Sequence, residues 1–212
     1  DLLTDQVEFA DVLLLNKCDR VDDETLEATE ALLRRLNPSA EIVRTVRGAA
    51  PLEKLFDTGR FDFERARLAP GWLQTLRGEE VSETDEYGIG SFVWRGDGPL
   101  HPGRFWEFVH ADIDGLLRAK GFFCLASKPA FVGVWSVAGG AASVGPIGMR
   151  EEGAPVGSEL VFIGQDLDEA GIRAALERCR LAPGEAVGED PFGVWSAEGM
   201  VFPGASSAEG GG

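Results

Sequence analysis

Val12-Leu13-Leu14-Leu15 is followed directly by Asn16-Lys17-Cys18-Asp19, and this junction decides how the chain is organised. A continuous apolar run of this length is typical of a parallel strand that is buried on both faces, so we predict a strand over residues 10–15. In an open α/β sheet, ligands bind beyond the carboxyl ends of the strands. The tetrapeptide after the strand therefore stands where a binding site is expected.

This tetrapeptide supports two interpretations. In the first, it recognises guanine: the Asp19 carboxylate accepts hydrogen bonds from two neighbouring base N–H groups, Asn16 bonds the O6/N7 edge, and the Lys17 stem lies along the ring. Adenine presents the reverse pattern and is rejected. In the second, Asn16 and Asp19 are turn formers, and Asp19 or Asp22 caps the next helix. The tetrapeptide alone does not decide between the two.

The residues after the tetrapeptide predict a β-loop-α-β unit. A helix should begin at Asp22 or Asp23 and run to about Asn37, because apolar residues recur on one side and a proline follows. A second strand is predicted over residues 41–46. Residues 51–56 form a short amphipathic piece, and we expect its three large apolar side chains to pack back on the sheet.

Composition changes after residue 56. Residues 57–86 contain a Pro-Gly pair and a cluster of acidic residues, which predicts an interdomain linker. Such a cluster can attract a hard cation, but a solvated charged strip is the interpretation we favour. Residues 87–182 alternate short strands with one early and one late helix, so we predict a small α+β domain with both helices on one face of a mainly antiparallel sheet. Residues 183–212 form a tail whose low-complexity end should be disordered.

Composition excludes several classes of partner. The chain has 212 residues, of which 44% are apolar, enough for folded domains. Its 36 acidic and 20 basic residues give a net charge of -16, which disfavours nucleic acid and anionic membranes. No apolar run is long enough to cross a bilayer, and no signal peptide is evident. The three cysteines, Cys18, Cys124 and Cys179, lack disulfide or zinc spacing, which indicates a reducing, cytoplasmic setting.

A few polar side chains stand out individually. Arg118 and Lys120 alternate along a strand and should share one sheet face, where they contact either the first unit or an acidic client, or else face solvent. His101 precedes a proline and should be a helix-entry residue. His110, with Asp112 nearby, has the chemistry to join a metal site. Two histidines without a third ligand at ligand spacing are poor support for one, so we predict no metal site.

Several stretches, taken in order along the chain, resemble the CobW-type GTPases. These are P-loop GTPases related to the urease and hydrogenase nickel-insertion factors, and several are regarded as zinc metallochaperones or cobalt-handling proteins. The stretches are Gln6-Val7-Glu8-Phe9-Ala10-Asp11-Val12, Leu15-Asn16-Lys17-Cys18-Asp19, Leu36-Asn37-Pro38, Gly88-Ile89-Gly90-Ser91-Phe92-Val93, Arg118-Ala119-Lys120-Gly121-Phe122-Phe123, Trp135-Ser136 and Glu159-Leu160-Val161-Phe162-Ile163-Gly164.

The resemblance carries expectations about fold and site. It implies that residues 1–56 are the α/β C-terminal portion of a P-loop GTPase domain and that residues 87–182 are a CobW C-terminal α+β domain. It assigns guanine binding to Asn16, Lys17 and Asp19. It further implies GTP and Mg²⁺ as cofactors of the intact protein, Zn²⁺ as its cargo, and a client metalloprotein as its partner.

One departure from the family limits these expectations. The phosphate-binding G-x-x-x-x-G-K-[ST] loop, the Cys-x-Cys-Cys metal motif and the switch residues belong upstream of Asn16, and this sequence contains none of them. Gly139-Gly140 and the glycines of residues 145–148 lack a following Lys-Ser/Thr, so we interpret them as hairpin glycines. We therefore expect a fragment that has no catalytic residue and does not hydrolyse GTP by itself, joined in the parent protein to an upstream GTPase half.

Two functional hypotheses remain. In the first, the chain is part of a GTP-binding metallochaperone that couples GTP binding and hydrolysis to metal delivery, with zinc as the expected cargo and cobalt as the alternative. In the second, it is a non-catalytic α+β interaction module without nucleotide binding. A homo-oligomer is compatible with either hypothesis, and the sequence identifies neither the metal nor the client.

Overall fold

The computed structural model describes residues 2–56, 58–60, 88–139, 141–151 and 153–196. The predicted linker, apart from residues 58–60, and the chain end beyond residue 196 lie outside this range. The elements in chain order are α1 (Leu2–Phe9), β1 (Val12–Leu15), α2 (Asp23–Leu36), β2 (Glu41–Arg44), β3 (Ile89–Asp97), α3 (Pro102–Val109), β4 (Leu116–Phe123), β5 (Phe131–Ala138), β6 (Ala141–Met149), β7 (Gly157–Gln165) and α4 (Glu169–Cys179).

The first unit has the predicted β-loop-α-β order. Strands β1 and β2 pair in parallel, with Val12 opposite Glu41. Helix α2 begins after Asp22, whose side chain accepts a hydrogen bond from the backbone N–H of Thr25 at 2.9 Å. Hydrogen bonds from the Thr25 side chain and from its backbone N–H lower the pKa of the Asp22 carboxyl, as expected of a residue that satisfies a free N–H at a helix start. Asp22, and not Asp19, is therefore the helix cap.

Asn37 connects α1, α2 and the two strands. Its side chain is completely buried, and its amide donates to the backbone oxygens of Val7 and Ala10, both at 2.8 Å. Its Oδ1 accepts from the backbone N–H groups of Ser39 and Ala40 at 3.2 and 3.1 Å, and from the Ser39 hydroxyl. One side chain therefore supplies hydrogen-bond partners to backbone groups in the turn between α1 and β1 and in the turn that enters β2.

Asn37→Ala should lower the free energy of unfolding by about 2–3 kcal/mol, because it leaves several buried backbone groups without partners. Urea denaturation followed by circular dichroism measures the change. Ser39→Ala is the matched control, since it removes one of these bonds, the 2.9 Å hydroxyl contact, and keeps the rest. If the two variants were equally stable, Asn37 would not hold these turns.

The second unit confirms the predicted α+β arrangement. Its five strands follow the spatial order β3-β7-β4-β5-β6, and every neighbouring pair is antiparallel. Helices α3 and α4 lie on the same face of the sheet and share one hydrophobic core with it. The most deeply buried large side chains of that core are Trp94, Leu100, Phe105, Phe123, Leu125, Trp135, Leu160, Phe162 and Leu176.

The opposite face of this sheet contacts the first unit. Leu36, at the end of α2, packs with Val161 and Ile163 of strand β7, together with Val93 and Phe122. The sheet is therefore covered by α3 and α4 on one face and by elements of the first unit on the other. Since successive residues of a strand point to opposite faces and every second residue shares a face, this arrangement also decides what surrounds the basic residues of β4.

Two predictions about the sheets are wrong. The apolar residues of 51–56 do not pack back: Leu52 is 66% exposed, Phe56 is 68% exposed, and only a 3₁₀ turn, Leu52–Lys54, forms there. The glycines of residues 145–148 do not form a hairpin turn but lie inside β6. β6 is an edge strand whose partner β5 shifts register beside Pro146, and edges and bulges are where a strand tolerates proline.

Residues 181–196, which we name the C-terminal segment, lie across the core of the second unit without regular structure. Its Phe192 ring contacts Phe105 at 6.2 Å and Trp106 at 4.9 Å between centroids. Arg104 of α3 forms a two-pronged ion pair with Glu185. The hydrogen bonds of this pair lower the pKa of Glu185 to about 2.

Acid should loosen this segment. A depressed folded-state pKa stabilises the fold above the ordinary value of 4.5 and loses that contribution as the pH falls toward about 2. We expect Glu185→Gln to reduce the pH dependence of the segment between these values, as measured by the NMR signal of the Trp195 indole. Glu189→Gln is the control, because Glu189 is an exposed carboxylate of the same segment, and it should keep the wild-type dependence of the Trp195 signal on pH. Identical profiles in all three proteins would contradict a role for the Arg104–Glu185 pair.

Candidate nucleotide-binding site

The loops that follow β1 and β2 meet at the carboxyl edge of the small parallel sheet. The backbone N–H of Thr45 donates to the Leu15 oxygen at 2.8 Å, and the N–H of Cys18 donates to the Thr45 oxygen at 3.2 Å. Thr45 is buried between the two loops. The loop after β2 thus holds the tetrapeptide of residues 16–19 at the edge where ligands bind in sheets of this class.

The side-chain carbonyl of Asn16 faces the loop that follows β2. Its Oδ1 accepts from the backbone N–H of Gly48 at 3.0 Å and from the Thr45 hydroxyl at 3.2 Å. Its Nδ2 forms no hydrogen bond within the described residues, so the donor end of the side chain remains available. A donor suits the O6 and N7 atoms of guanine, which are both acceptors.

Lys17 turns the backbone sharply between Asn16 and Asp19. Its φ of 64° and ψ of 31° lie in the left-handed region, which is uncommon for a residue other than glycine. Strained backbone of this kind persists where surrounding contacts hold it, and it occurs often at functional sites. The turn starts the 3₁₀ segment Cys18–Arg20, in which the Cys18 thiol donates to the Leu15 oxygen at 3.0 Å. Both the Lys17 and Asp19 side chains are exposed.

Asp19 keeps its acceptor capacity. Its carboxylate makes no hydrogen bond or ion pair to any residue of the described ranges, and Asp22 performs the capping role that was the alternative for it. Two free carboxylate oxygens suit the adjacent N1–H and N2–H₂ donors of guanine. Asn16, Lys17 and Asp19 thus have the chemistry and the strand-end placement of a base site, and their assignment to guanine is a proposal.

Sequence reasoning missed the loop of residues 45–48 as part of this site. Arg47 and Gly48 both have positive φ, 53° and 72°, so the chain reverses tightly beside Asn16. The Arg47-Gly48 pair after a predicted strand was the available signal, because the carboxyl ends of neighbouring parallel strands meet at one edge. Val46, at the start of this turn, is exposed.

The histidines have structural partners. His101 caps α3, and its Nδ1 accepts from the Arg104 backbone N–H at 3.3 Å. His110 Nδ1 lies 2.8 Å from the Trp106 oxygen, and its ring lies 4.1 Å from the Trp106 indole between centroids. Within the described ranges, no group of three or more His, Cys, Asp or Glu side chains is placed to hold a metal ion. None of the described helices is both long and apolar enough to span a membrane.

Arg118 contacts the first unit, which was one of the three environments predicted for it. It is completely buried, and its Nε and Nη2 donate to the two carboxylate oxygens of Glu8 at 2.8 and 3.2 Å. Lys120, on the same face, has a lowered pKa because of burial and the nearby Arg118 charge. Burial raises the pKa of Glu8, and the Arg118 charge opposes that rise.

Two family profiles match the chain. Residues 1–44 match the nucleotide-binding domain described as CobW/HypB/UreG, and residues 89–180 match the cobalamin synthesis protein cobW C-terminal domain. These matches fall on both units and leave residues 45–56, the predicted linker and the C-terminal segment outside.

Individual proteins are similar as well. Zinc-regulated GTPase metalloprotein activator 1 of Dictyostelium discoideum is 36% identical over 223 residues, which cover 92% of this chain and 47% of that protein. The chain thus spans about half the length of this curated relative. Crystal structures of Zn(II)-bound YjiA GTPase from E. coli and of a Zn(II)-bound triple mutant of YjiA are 23% and 24% identical, with a TM-score of 0.42, over 84% of this chain and 54% of theirs.

Proposed function

The chain belongs to the CobW family, and we propose that it supplies the guanine-recognition loop and the C-terminal domain of a GTP-binding metallochaperone. In this proposal the whole protein binds and hydrolyses GTP with Mg²⁺ at the phosphates. It uses that cycle to deliver a metal, zinc or cobalt, to a client metalloprotein. The name of the Dictyostelium discoideum relative, a zinc-regulated metalloprotein activator, supports zinc over cobalt.

The arrangement of Asn16 and Asp19 carries the guanine assignment. Asn16 is fixed by Thr45 and Gly48 through its oxygen, which leaves its amide as a donor for O6 and N7. Asp19 offers two acceptors for the N1–H and N2–H₂ groups. Adenine has a donor at position 6 and no hydrogen at N1, so it would place a donor against the Asn16 amide and an acceptor against the Asp19 carboxylate.

The two units have different tasks in this proposal. Asn16, Lys17 and Asp19 select and orient the base, and the second unit recognises the client or transmits the nucleotide state. Phosphoryl transfer depends mainly on positioning and charge stabilisation at the phosphates and Mg²⁺. Because the sequence contains no phosphate-binding motif, the chain by itself should bind a guanine base weakly and leave GTP intact.

An NMR titration of this chain with guanosine and adenosine tests base recognition. With base contacts only, we expect guanosine to bind with a dissociation constant on the order of 1 mM. It should shift the amide signals of Asn16, Asp19 and Gly48, whereas adenosine should not. Asp19→Ala should abolish the shifts, and Asp23→Ala, which changes an exposed carboxylate at the start of α2, should keep them. Equal shifts with both nucleosides, or none, would contradict the guanine assignment.

A version extended upstream to include a phosphate-binding loop tests the GTPase assignment. It should hydrolyse GTP in preference to ATP and lose that preference in Asp19→Ala. An extended version that binds neither nucleotide would favour the interaction-module hypothesis. Metal transfer is measured separately, by zinc loading of a candidate client apoprotein in the presence of GTP or of a non-hydrolysable analogue.

A further inference from the structure

A buried ion pair joins the two units. Glu8 of α1 and Arg118 of β4 are 1% and 0% exposed, and they face each other with two parallel hydrogen bonds. The remaining guanidinium nitrogen, Nη1, donates to the Ser136 hydroxyl at 3.0 Å and to the Val137 oxygen at 3.3 Å. Asp5, one turn earlier on α1, lies 3.6 Å from Nη2. Arg118 is therefore fixed in the second unit and directed at the first.

Glu8 is closely linked to the candidate base site. It lies in the last turn of α1, and only two residues separate α1 from β1, whose carboxyl end carries Asn16. The Asn37 amide holds the backbone oxygens of Val7 and Ala10, on either side of Glu8 and Phe9. A displacement of Glu8 would therefore displace the start of β1, and the strand would transmit it to the two contacting loops of residues 16–19 and 45–48, which we name together the base-binding loop.

We propose that Arg118, acting through Glu8, is a positioning residue for the base-binding loop, so that the second unit sets the geometry of that loop. The inference deepens the proposed function, since it rests on that function for the identity of the base. The apolar contact between Leu36 and β7 brings the units together. A bidentate guanidinium–carboxylate pair also fixes the relative orientation of the two units, because both of its hydrogen bonds form at one distance and one orientation only.

This role differs from simple stabilisation. Replacing a buried ion pair with apolar residues of similar volume is often neutral or stabilising, because desolvation of the two charges offsets their attraction. If Glu8 and Arg118 only stabilise the fold, the double variant Glu8→Leu/Arg118→Met should behave like the wild type in every region. If they position the loop, that variant keeps its sheets and loses order in the loop.

Hydrogen exchange on this chain distinguishes the two, and it needs no nucleotide. The amides of Cys18, Thr45 and Gly48 report on the loop, since each donates one of the hydrogen bonds described above. The amides of Ala119 and Phe162, which lie opposite each other on β4 and β7, report on the sheet. We expect Glu8→Leu/Arg118→Met to raise exchange of the loop amides about tenfold and to leave the sheet amides within about threefold.

Two further variants complete the test. The reversed pair Glu8→Arg/Arg118→Glu should restore part of the loop protection, because it restores the direction of the contact. The control Arg95→Met/Glu159→Leu removes an exposed cross-strand ion pair of 2.9 Å in the second unit and should change neither region. Loop exchange that is unchanged in Glu8→Leu/Arg118→Met, or that rises by the same factor as sheet exchange, would overturn the proposal.

Guanosine binding separates this proposal from the proposed function. If the wild-type chain shows no guanosine shifts, the base assignment fails, but the exchange result still decides whether Arg118 positions the loop. If guanosine does bind, its dissociation constant should rise about tenfold in Glu8→Leu/Arg118→Met and stay at the wild-type value in Arg95→Met/Glu159→Leu. An unchanged constant in Glu8→Leu/Arg118→Met would overturn the positioning role.

Discussion

Arg118→Met should lower the free energy of unfolding by about 3–5 kcal/mol, because it leaves the Glu8 carboxylate buried without its cation. Arg118 also satisfies the Ser136 hydroxyl and the Val137 oxygen, so its removal leaves further polar atoms without a donor. Methionine matches much of the arginine stem in volume, which keeps the cavity contribution small.

Urea denaturation at neutral pH measures this change. Arg95→Met is the matched control: it removes the cation of an exposed pair, with Glu159, and should cost at most about 1 kcal/mol. Glu8→Leu/Arg118→Met should recover most of the loss, because it also removes the charge that Arg118→Met leaves behind. If Arg118→Met were no less stable than Arg95→Met, the Glu8–Arg118 pair would contribute little to the free energy of folding.

Arg118→Met should also make the free energy of unfolding fall as the pH rises. Burial already raises the pKa of Glu8, and without Arg118 nothing of comparable strength opposes that rise. Between the ordinary pKa of 4.5 and the raised value, the folded state binds more protons than the unfolded state, so stability falls as the pH rises. The deficit of Arg118→Met relative to the wild type should therefore shrink as the pH is lowered from neutral toward 4.5.

Local signals in the sequence were sufficient for much of the fold. Helix α2 was predictable because Asp22 can accept from the N–H groups of a first turn and Pro38 cannot continue a helix. The placement of His101 before Pro102 predicted the start of α3, and the structure confirms it, with His101 as the cap. Each of these signals acts within about four residues, the range over which caps and turns form.

Contacts between distant residues were not predictable in the same way. The alternation of Arg118 and Lys120 correctly predicted that they share a face, but nothing near Glu8 marks it as a buried partner 110 residues away. An isolated glutamate in a short helix is usually solvated, and only the packing of α1 against the sheet removes this one from water. Conversely, Leu52 and Phe56 have the spacing of a packed piece, yet the described residues supply no surface that covers them.

The candidate base site shows the same division between local and long-range information. The tetrapeptide predicted a strand-end loop with an available carboxylate, and the structure places Asp19 there, exposed. The structure restricts the role proposed for Asn16, since its oxygen is already engaged by Thr45 and Gly48 and its amide is the end left for a base. That detail depends on a loop almost 30 residues further along the chain.

Asp19→Asn should change the preferred base from guanine to xanthine. A carboxylate accepts from both N1–H and N2–H₂ of guanine, whereas an asparagine side chain offers one acceptor and one donor group. Against guanine, the new amide would meet the exocyclic amino group, donor against donor. Xanthine carries a carbonyl oxygen at that position and keeps N1–H, so the asparagine pairs with both of its groups.

The expected shift is large, because a charge-assisted pair is lost for one base and a complementary pair is gained for the other. Hydrogen bonds to charged groups contribute about 1.5–3 kcal/mol each, so the preference of guanosine over xanthosine should change on the order of a hundredfold. NMR titration of this chain with each nucleoside measures the ratio, and Asp23→Asn serves as the control that changes the net charge equally. An unchanged ratio in Asp19→Asn would place the base elsewhere and return Asn16-Lys17-Cys18-Asp19 to the role of a turn.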